Sequence, residues 1–217
     1  MNNIININNW RNTMNTKEIT VYLKKQKEKQ KENKDNYSLL EVSMIANNIL
    51  SSLDYYFYDS ATPIVKIAKD FGFKTYKQKL SKNLSGDICI NGNTYDRYGY
   101  NQVILVNEFE PFFHQRFVVA HELAHYLFEF IGDSKYKDKN IRFSDTYFRD
   151  HHETPQELRA NAFAAEILMP KNLFIKQYNI SKEMGFDSLY TKKYLSEFFE
   201  TTINSIQRRI QEVLNHK

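Results

Sequence analysis

The sequence predicts a mostly helical α+β fold in which a small antiparallel sheet packs beside one central helix. Apolar residues recur at helical spacing over most of the chain from residue 37 onward. Two short β-branched runs, Asp87–Asn91 and Gln102–Asn107, interrupt this spacing and are bounded by turn residues. The segment Arg116–Phe128 follows them and is apolar on nearly every side of a helix, which is typical of a buried helix.

The composition indicates a folded protein with a substantial core. The chain has 217 residues, of which 41% are hydrophobic. Cys89 is the single cysteine, which excludes an internal disulfide and a thiolate zinc cluster. No apolar stretch approaches about 18 residues, and the Asn-rich N-terminus lacks the apolar core of a signal peptide. We therefore expect a cytoplasmic protein with no membrane partner.

The first 36 residues are expected to form a polar arm outside the folded domain. Residues 1–16 are largely polar and low in complexity, and residues 24–36 contain no apolar side chain. The arm is interpreted either as a basic segment for nucleic acid or as a solvated linker. Acidic residues alternate with its lysines, which favours the linker. Because the arm offers no apolar face, we expect its deletion to leave thermal stability nearly unchanged.

The elements before the central helix follow from apolar spacing and from residues typical of helix ends. Residues 39–50 carry an apolar stripe at helical spacing. A second helix follows, because Thr62 can cap it, Pro63 suits its first position and Gly72 suits the residue after its end. Residues 73–78 fit a short strand, and the two β-branched runs complete a sheet that leads into the central helix.

Beyond the central helix, the chain returns to helical patterns. One helix starts at Thr154-Pro155 and stops at Pro170, and shorter helical patterns follow. The last two patterns, 188–200 and 202–214, are similar to a helix-turn-helix corner. The expected domains are an N-terminal arm (1–36), a main domain (37–178) and a C-terminal helical segment (179–217).

The central helix contains the HExxH motif His121-Glu122-Leu-Ala-His125. Residues four apart on a helix differ by roughly 40° in direction, so the two imidazoles can bind one metal ion. Glu122 lies beside that ion and can take a proton from a water molecule there. The alternative is a core helix with two hydrogen-bonded histidines and an exposed glutamate. Buried histidine and glutamate side chains need partners, and a metal ion would supply one.

A catalytic zinc site usually has three protein ligands and an open fourth position. No cysteine is placed to be the third ligand, so it must be a histidine, an aspartate or a glutamate. Glu157, at the start of the next helix, is the candidate. The segment Thr154-Pro-Gln-Glu157 fits a capping box equally well, in which this carboxylate would bond back to the start of its own helix. From the residues alone, the two interpretations have equal weight.

Two motifs together resemble those of the ImmA/IrrE family of bacterial metallopeptidases. The first is Arg116–Tyr126, which contains HExxH, and the second is Glu157–Pro170, which fits E-x-x-A-N-x-F-A-A-x-x-L-M-P. The resemblance covers residues 37–178. It implies a zincin-like metallopeptidase domain of the gluzincin type, with the small sheet packed beside the HExxH helix.

The family resemblance also implies a set of site residues. His121, His125 and Glu157 would bind one zinc ion per chain, with another divalent ion such as Mn²⁺ as the alternative, and Glu122 would be the general base. Asn161, one turn beyond Glu157, would face the same site. It would either orient a ligand imidazole or be an ordinary residue of the helix surface.

Peptide hydrolysis also needs a group that faces the developing negative charge. His151 and His152 are candidates for this role or for a substitute ligand, although two adjacent histidines in a polar segment more often belong to an ordinary loop. Tyr98 and Tyr126 are further candidates. The chain has fifteen tyrosines, so the sequence does not single out one of them.

The sequence therefore predicts a zinc-dependent endopeptidase, with its peptide lying along an edge strand formed by Gln102–Asn107 or Asp87–Asn91. The resemblance implies a regulatory protease that cuts a helix-turn-helix transcriptional repressor of a phage, a mobile element or a stress response. The alternative is a non-proteolytic zinc-binding regulator that contacts a repressor or DNA. The C-terminal helices, with Arg208 and Arg209, or the Lys-rich arm would then supply the contact surface.

Overall fold

The computed structural model describes residues 16–33, 37–52, 60–132, 141–146 and 154–214. The predicted α+β class, mostly helical with a small sheet, is confirmed. No helix among these residues is long and apolar enough to cross a membrane. In chain order the elements are α1 (Thr16–Asn33), α2 (Leu39–Ser52), α3 (Ile64–Asp70), β1 (Lys74–Gln78), β2 (Leu84–Ile90), α4 (Thr94–Tyr98), β3 (Gln102–Asn107), α5 (Phe112–His125), a π-helical turn (Tyr126–Phe130), β4 (Ile141–Thr146), α6 (Pro155–Leu168), α7 (Lys171–Glu183), α8 (Ser188–Phe199) and α9 (Ile203–Leu214).

The strands form one mixed sheet with the order β1-β3-β2-β4. Strand β2 runs antiparallel to both of its neighbours, β3 and β4. Strand β1 instead pairs in parallel with β3, so the prediction of a wholly antiparallel sheet is wrong for this strand. The chain passes through β2 and α4 between β1 and β3, and such a long connection allows two neighbouring strands to run in the same direction.

The edge strands of this sheet are not the two strands that were predicted to bind a peptide. Gln102–Asn107 corresponds to β3 and Asp87–Asn91 overlaps β2, and each of these strands pairs with a neighbour on both sides. Their main-chain groups are therefore already used in the sheet, and the prediction that one of them is the edge is wrong. Within the described residues, β1 and β4 are the edge strands.

The sheet separates two apolar clusters, because successive side chains of a strand point to opposite faces. Ile88 and Ile104 belong to the main core, into which α5 packs. Cys89, Val103 and Leu105 lie in a smaller cluster on the other face. The main core therefore lies on the face of the sheet that carries the HExxH helix.

Helix α1 is part of the folded protein. Ile19 and Leu23 are 3% and 0% exposed and belong to the main core. The premise that residues 1–36 offer no apolar face is therefore wrong. The apolar residues Ile19, Tyr22 and Leu23 are spaced to form one face of a helix, and they immediately precede the lysine-rich run that dominated the interpretation. The division of the chain at residues 36 and 178 stays a prediction.

Substitution of Leu23 tests this packing. We expect Leu23→Ala to lower the free energy of unfolding by about 2–5 kcal/mol, because it removes a fully buried side chain. Val21→Ala is the control on the same helix: the Val21 side chain is 50% exposed, so a change of about 0.5 kcal/mol or less is expected. Urea unfolding followed by circular dichroism measures both values. Equal, small losses would show that α1 does not pack against the core in solution.

The C-terminal helices also pack into the main core. Phe199 of α8 and Ile206 of α9 are fully buried there. Arg209 of α9 is 2% exposed and donates hydrogen bonds to the Glu166 carboxylate of α6 and to the Met169 carbonyl oxygen. Arg209 is therefore not accessible to DNA, which removes one of the two arginines proposed for that role.

Candidate metal centre

Helix α5 carries the HExxH motif into the middle of the protein. Its inner half packs between the sheet and α6, and the three motif side chains His121, Glu122 and His125 are all buried. The apolar residues around the motif cause this burial, as the sequence predicts. Three polar side chains are thus concentrated at one place in an apolar core.

The structure brings together the three residues predicted as metal ligands. His121 Nε2 and His125 Nε2 are 2.9 Å apart. The carboxylate of Glu157, on α6, places Oε2 3.2 Å from His121 Nε2 and Oε1 3.4 Å from His125 Nε2. Each of the three residues therefore offers a ligand atom to the same small volume.

These distances fit a tetrahedral metal ion. With metal–ligand bonds of about 2.0 Å, the ligand atoms of a tetrahedral zinc site lie about 3.3 Å apart. The spacings of 2.9, 3.2 and 3.4 Å, of which the last two are to different oxygens of Glu157, lie within a few tenths of an ångström of this value. Two imidazoles and one carboxylate are also a donor set found at catalytic zinc sites, where a fourth position stays open for water or substrate.

Asn161 orients the first of these imidazoles. Its Oδ1 lies 3.1 Å from His121 Nδ1 and accepts the hydrogen bond from that nitrogen. Nδ1 then carries the proton, which leaves the lone pair on Nε2, the atom that faces Glu157. Of the two interpretations of Asn161, the structure supports the one in which its side chain contacts the imidazole of a candidate ligand.

In the structure the backbone of Glu157, rather than its carboxylate, takes part in the helix cap. The Thr154 hydroxyl accepts a hydrogen bond from the backbone N–H of Glu157 at 3.3 Å and so caps α6. The Glu157 carboxylate instead faces His121 and His125. The backbone of Glu157 therefore serves the helix start while its side chain completes the group of candidate ligands.

Glu122 lies where α5 packs closely on Gly86 of β2. A β-carbon added at Gly86 would overlap Val118 Cγ1 and would lie 2.8 Å from Glu122 Oε1. Only glycine leaves room for this approach, because any larger residue would displace the helix or the carboxylate. Gly86 was not among the residues predicted from the sequence, although a glycine inside a strand indicates this kind of close contact.

The helices that carry the candidate ligands lie within a region that matches a known protein family. Residues 68–211, more than half of the chain, match the family of the IrrE N-terminal-like domain, peptidase M78. The chain belongs to this family. The predicted ImmA/IrrE resemblance is thereby confirmed, and membership implies a metallopeptidase-like protein that uses a divalent metal ion. A comparison with curated proteins gave no match.

In this M78 family member, Tyr98 lies on the opposite face of the sheet from α5. Its ring stacks on Tyr76 with 5.7 Å between the ring centroids, and both pack against the smaller apolar cluster. The Tyr98 hydroxyl lies 3.2 Å from Gln78 Oε1 and donates a hydrogen bond to it. The hydroxyl therefore faces away from the candidate ligands, contrary to the expected oxyanion role.

Tyr126 directly follows the last motif histidine, but its side chain packs against the sheet. Its ring meets Phe73 edge to face, with 4.9 Å between the centroids. Burial raises the pKa of Tyr126, and the hydroxyl is hydrogen-bonded to the side chain of Gln102 on β3. The expected oxyanion role is therefore not supported for Tyr126. His151 and His152 lie outside the described residues, so their role stays a prediction.

A groove of about 1070 Å³ begins beside the metal centre of the M78 domain. It passes Asn161 and Phe117, which both contact His121, and it continues to residues of α2 and α9. Its lining combines apolar side chains such as Leu158 with polar and charged ones such as Arg208. The groove therefore offers a mixed apolar and charged surface beside the candidate ligands.

Proposed function

We propose that the protein is a zinc-dependent endopeptidase that cuts a helix-turn-helix repressor of a phage, a mobile element or a stress response. The convergence of His121, His125 and Glu157, with Glu122 buried beside them, supports peptide hydrolysis. Membership of the M78 family supports the metallopeptidase class. The repressor substrate follows from the family resemblance alone.

The chain supplies groups for three requirements of hydrolysis, namely metal binding, proton transfer and orientation of a ligand. Zinc held by His121, His125 and Glu157 would polarise the scissile carbonyl and lower the pKa of a water molecule toward about 7. Glu122 accepts a proton from the attacking water and later gives it to the leaving amine. Asn161 keeps the His121 ring in one orientation and one tautomer throughout.

In this proposal an extended substrate peptide binds along edge strand β4. This strand pairs with β2, and its Asp145 is the register partner of Gly86, the residue against which Glu122 packs. The other edge strand, β1, is separated from β2 by β3. A peptide added to β4 would gain main-chain hydrogen bonds while lying close to the candidate base.

Cleavage of a purified regulator tests the proposal. We expect the zinc-loaded protein to make one cut in the repressor that is encoded next to it and to leave casein intact. Selectivity is expected because recognition would also use the groove, to which a folded partner presents a fixed surface that casein lacks. Gel electrophoresis and mass spectrometry identify the cut, and a zinc chelator should abolish it.

Two other outcomes of this experiment would each contradict a different part of the proposal. Broad cleavage of casein would contradict a regulatory substrate while leaving the peptidase activity in place. An intact repressor, despite full zinc loading and tight binding, would favour the non-proteolytic zinc-binding regulator. That alternative retains Arg208 as a possible contact residue, since Arg208 lines the groove.

A further inference from the structure

The helix that carries the motif changes its hydrogen-bonding pattern immediately after His125. Residues Tyr126–Phe130 form a π-helical turn. A π turn accommodates one more residue than an α turn, so the side chains that follow point in directions that a continuous α-helix would not give them. Leu127, Phe128 and Phe130 are buried by this turn, and Glu129 is directed to α6.

Glu129 forms an ion pair with an arginine close to the candidate third ligand. Its Oε1 accepts a hydrogen bond from Arg159 Nη2 at 2.6 Å, and the Arg159 side chain is 6% exposed. Arg159 lies two residues after Glu157 and two before Asn161 on α6. The pair therefore joins the end of the HExxH helix to the part of α6 that approaches both histidines.

The first turn of α6 needs such an attachment. The Glu157 side chain is 25% exposed, and the hydrogen bond from the Glu157 backbone to Thr154 lies at the protein surface. A helix end held only by an exposed cap can open locally. A short hydrogen bond between two charged groups, one of them buried, holds α6 more firmly against the end of the motif helix.

We propose that the Glu129–Arg159 ion pair positions Glu157 as a metal ligand and thereby sets the zinc affinity of the protein. This inference rests on the metal site of the proposed function. Glu129 and Arg159 act through α6 and are positioning residues, since the hydrogen bond described here joins their two side chains to each other.

Charge exchange between the two residues tests the proposal. We expect Glu129→Arg and Arg159→Glu each to weaken zinc binding by roughly 10–100-fold, the range found for residues that orient metal ligands. The double variant with both changes should recover zinc binding to within a few-fold of wild type, because the ion pair is restored with reversed polarity. Competition with a chromogenic chelator gives the affinities, and the visible spectrum of the Co²⁺ form reports the coordination geometry.

Glu166→Gln is the matched control for a loss of stability alone. Like Glu129, Glu166 is an acid paired with an arginine, here Arg209. It is buried on α6 itself, near the end of the helix away from Glu157. This variant should lower the thermal unfolding temperature of the metal-free protein without changing the zinc affinity of the folded form. If the single Glu129 and Arg159 variants behave in the same way, or if the double variant restores nothing, the positioning role is overturned.

Wild type and Glu157→Ala complete the experiment. A wild-type protein without zinc affinity would overturn the metal site of the proposed function and the positioning role with it. Zinc binding that is lost in Glu157→Ala but unchanged by exchanging Glu129 and Arg159 would overturn the positioning role alone.

Discussion

Glu122→Gln should abolish peptide cleavage while the protein keeps its zinc. Glutamine has nearly the same size and shape as glutamate, so it fits the space between α5 and Gly86 of β2. It cannot accept a proton from the attacking water, and loss of a general base typically costs about 10²–10⁴-fold in rate. Cleavage of the repressor under single-turnover conditions measures the loss, and metal analysis measures the zinc content.

The exposed residue Glu197 on α8 provides the control for this change. Glu197→Gln removes one negative charge far along the chain from the motif and should leave the cleavage rate unchanged. Retained cleavage in Glu122→Gln would remove Glu122 as the base. Loss of zinc in Glu122→Gln would indicate that this buried carboxylate supports the metal site directly.

The candidate site was predictable from the sequence because its key contacts depend on local spacing. His121 and His125 are one helical turn apart, so the helix alone brings their imidazoles together. Glu157 is distant in sequence, and only the family motif singled it out from its capping-box interpretation. The structure shows why residue spacing left this choice open: the same residue takes part in the cap through its backbone and meets the histidines through its carboxylate.

The errors concern features that depend on distant parts of the chain. The parallel pairing of β1 requires knowledge that β3, and not β2, is its neighbour in the sheet. The position of Tyr98 depends on the face of the sheet on which α4 lies. To predict the burial of Leu23, the short apolar face of α1 has to be considered separately from the charged run that follows it. For β1 and Tyr98 the local pattern was correct and only the distant partner was missing, whereas for Leu23 the local apolar pattern was overlooked.

Glu157→Ala should lose most of the bound zinc. Glu157 supplies the only negative charge among the three candidate ligands, since the two histidines bind a metal ion as neutral imidazoles. Without it, two neutral ligands would hold a doubly charged ion in an apolar part of the protein. We expect the zinc affinity to fall by at least about 100-fold, more than for residues that only orient a ligand. Metal analysis after gel filtration, together with chelator competition, measures this loss.

Thr154→Ala separates the two functions of Glu157. It removes the hydroxyl that accepts the backbone N–H of Glu157 but leaves the carboxylate in place. The variant should lower the free energy of unfolding by about 0.5–2 kcal/mol, as expected for a lost helix cap, and it should still bind zinc. If Glu157→Ala instead binds zinc as tightly as wild type, Glu157 is not a metal ligand. Glu153, outside the described residues, would then be the next candidate for the third ligand, because it is the closest preceding acid in the sequence.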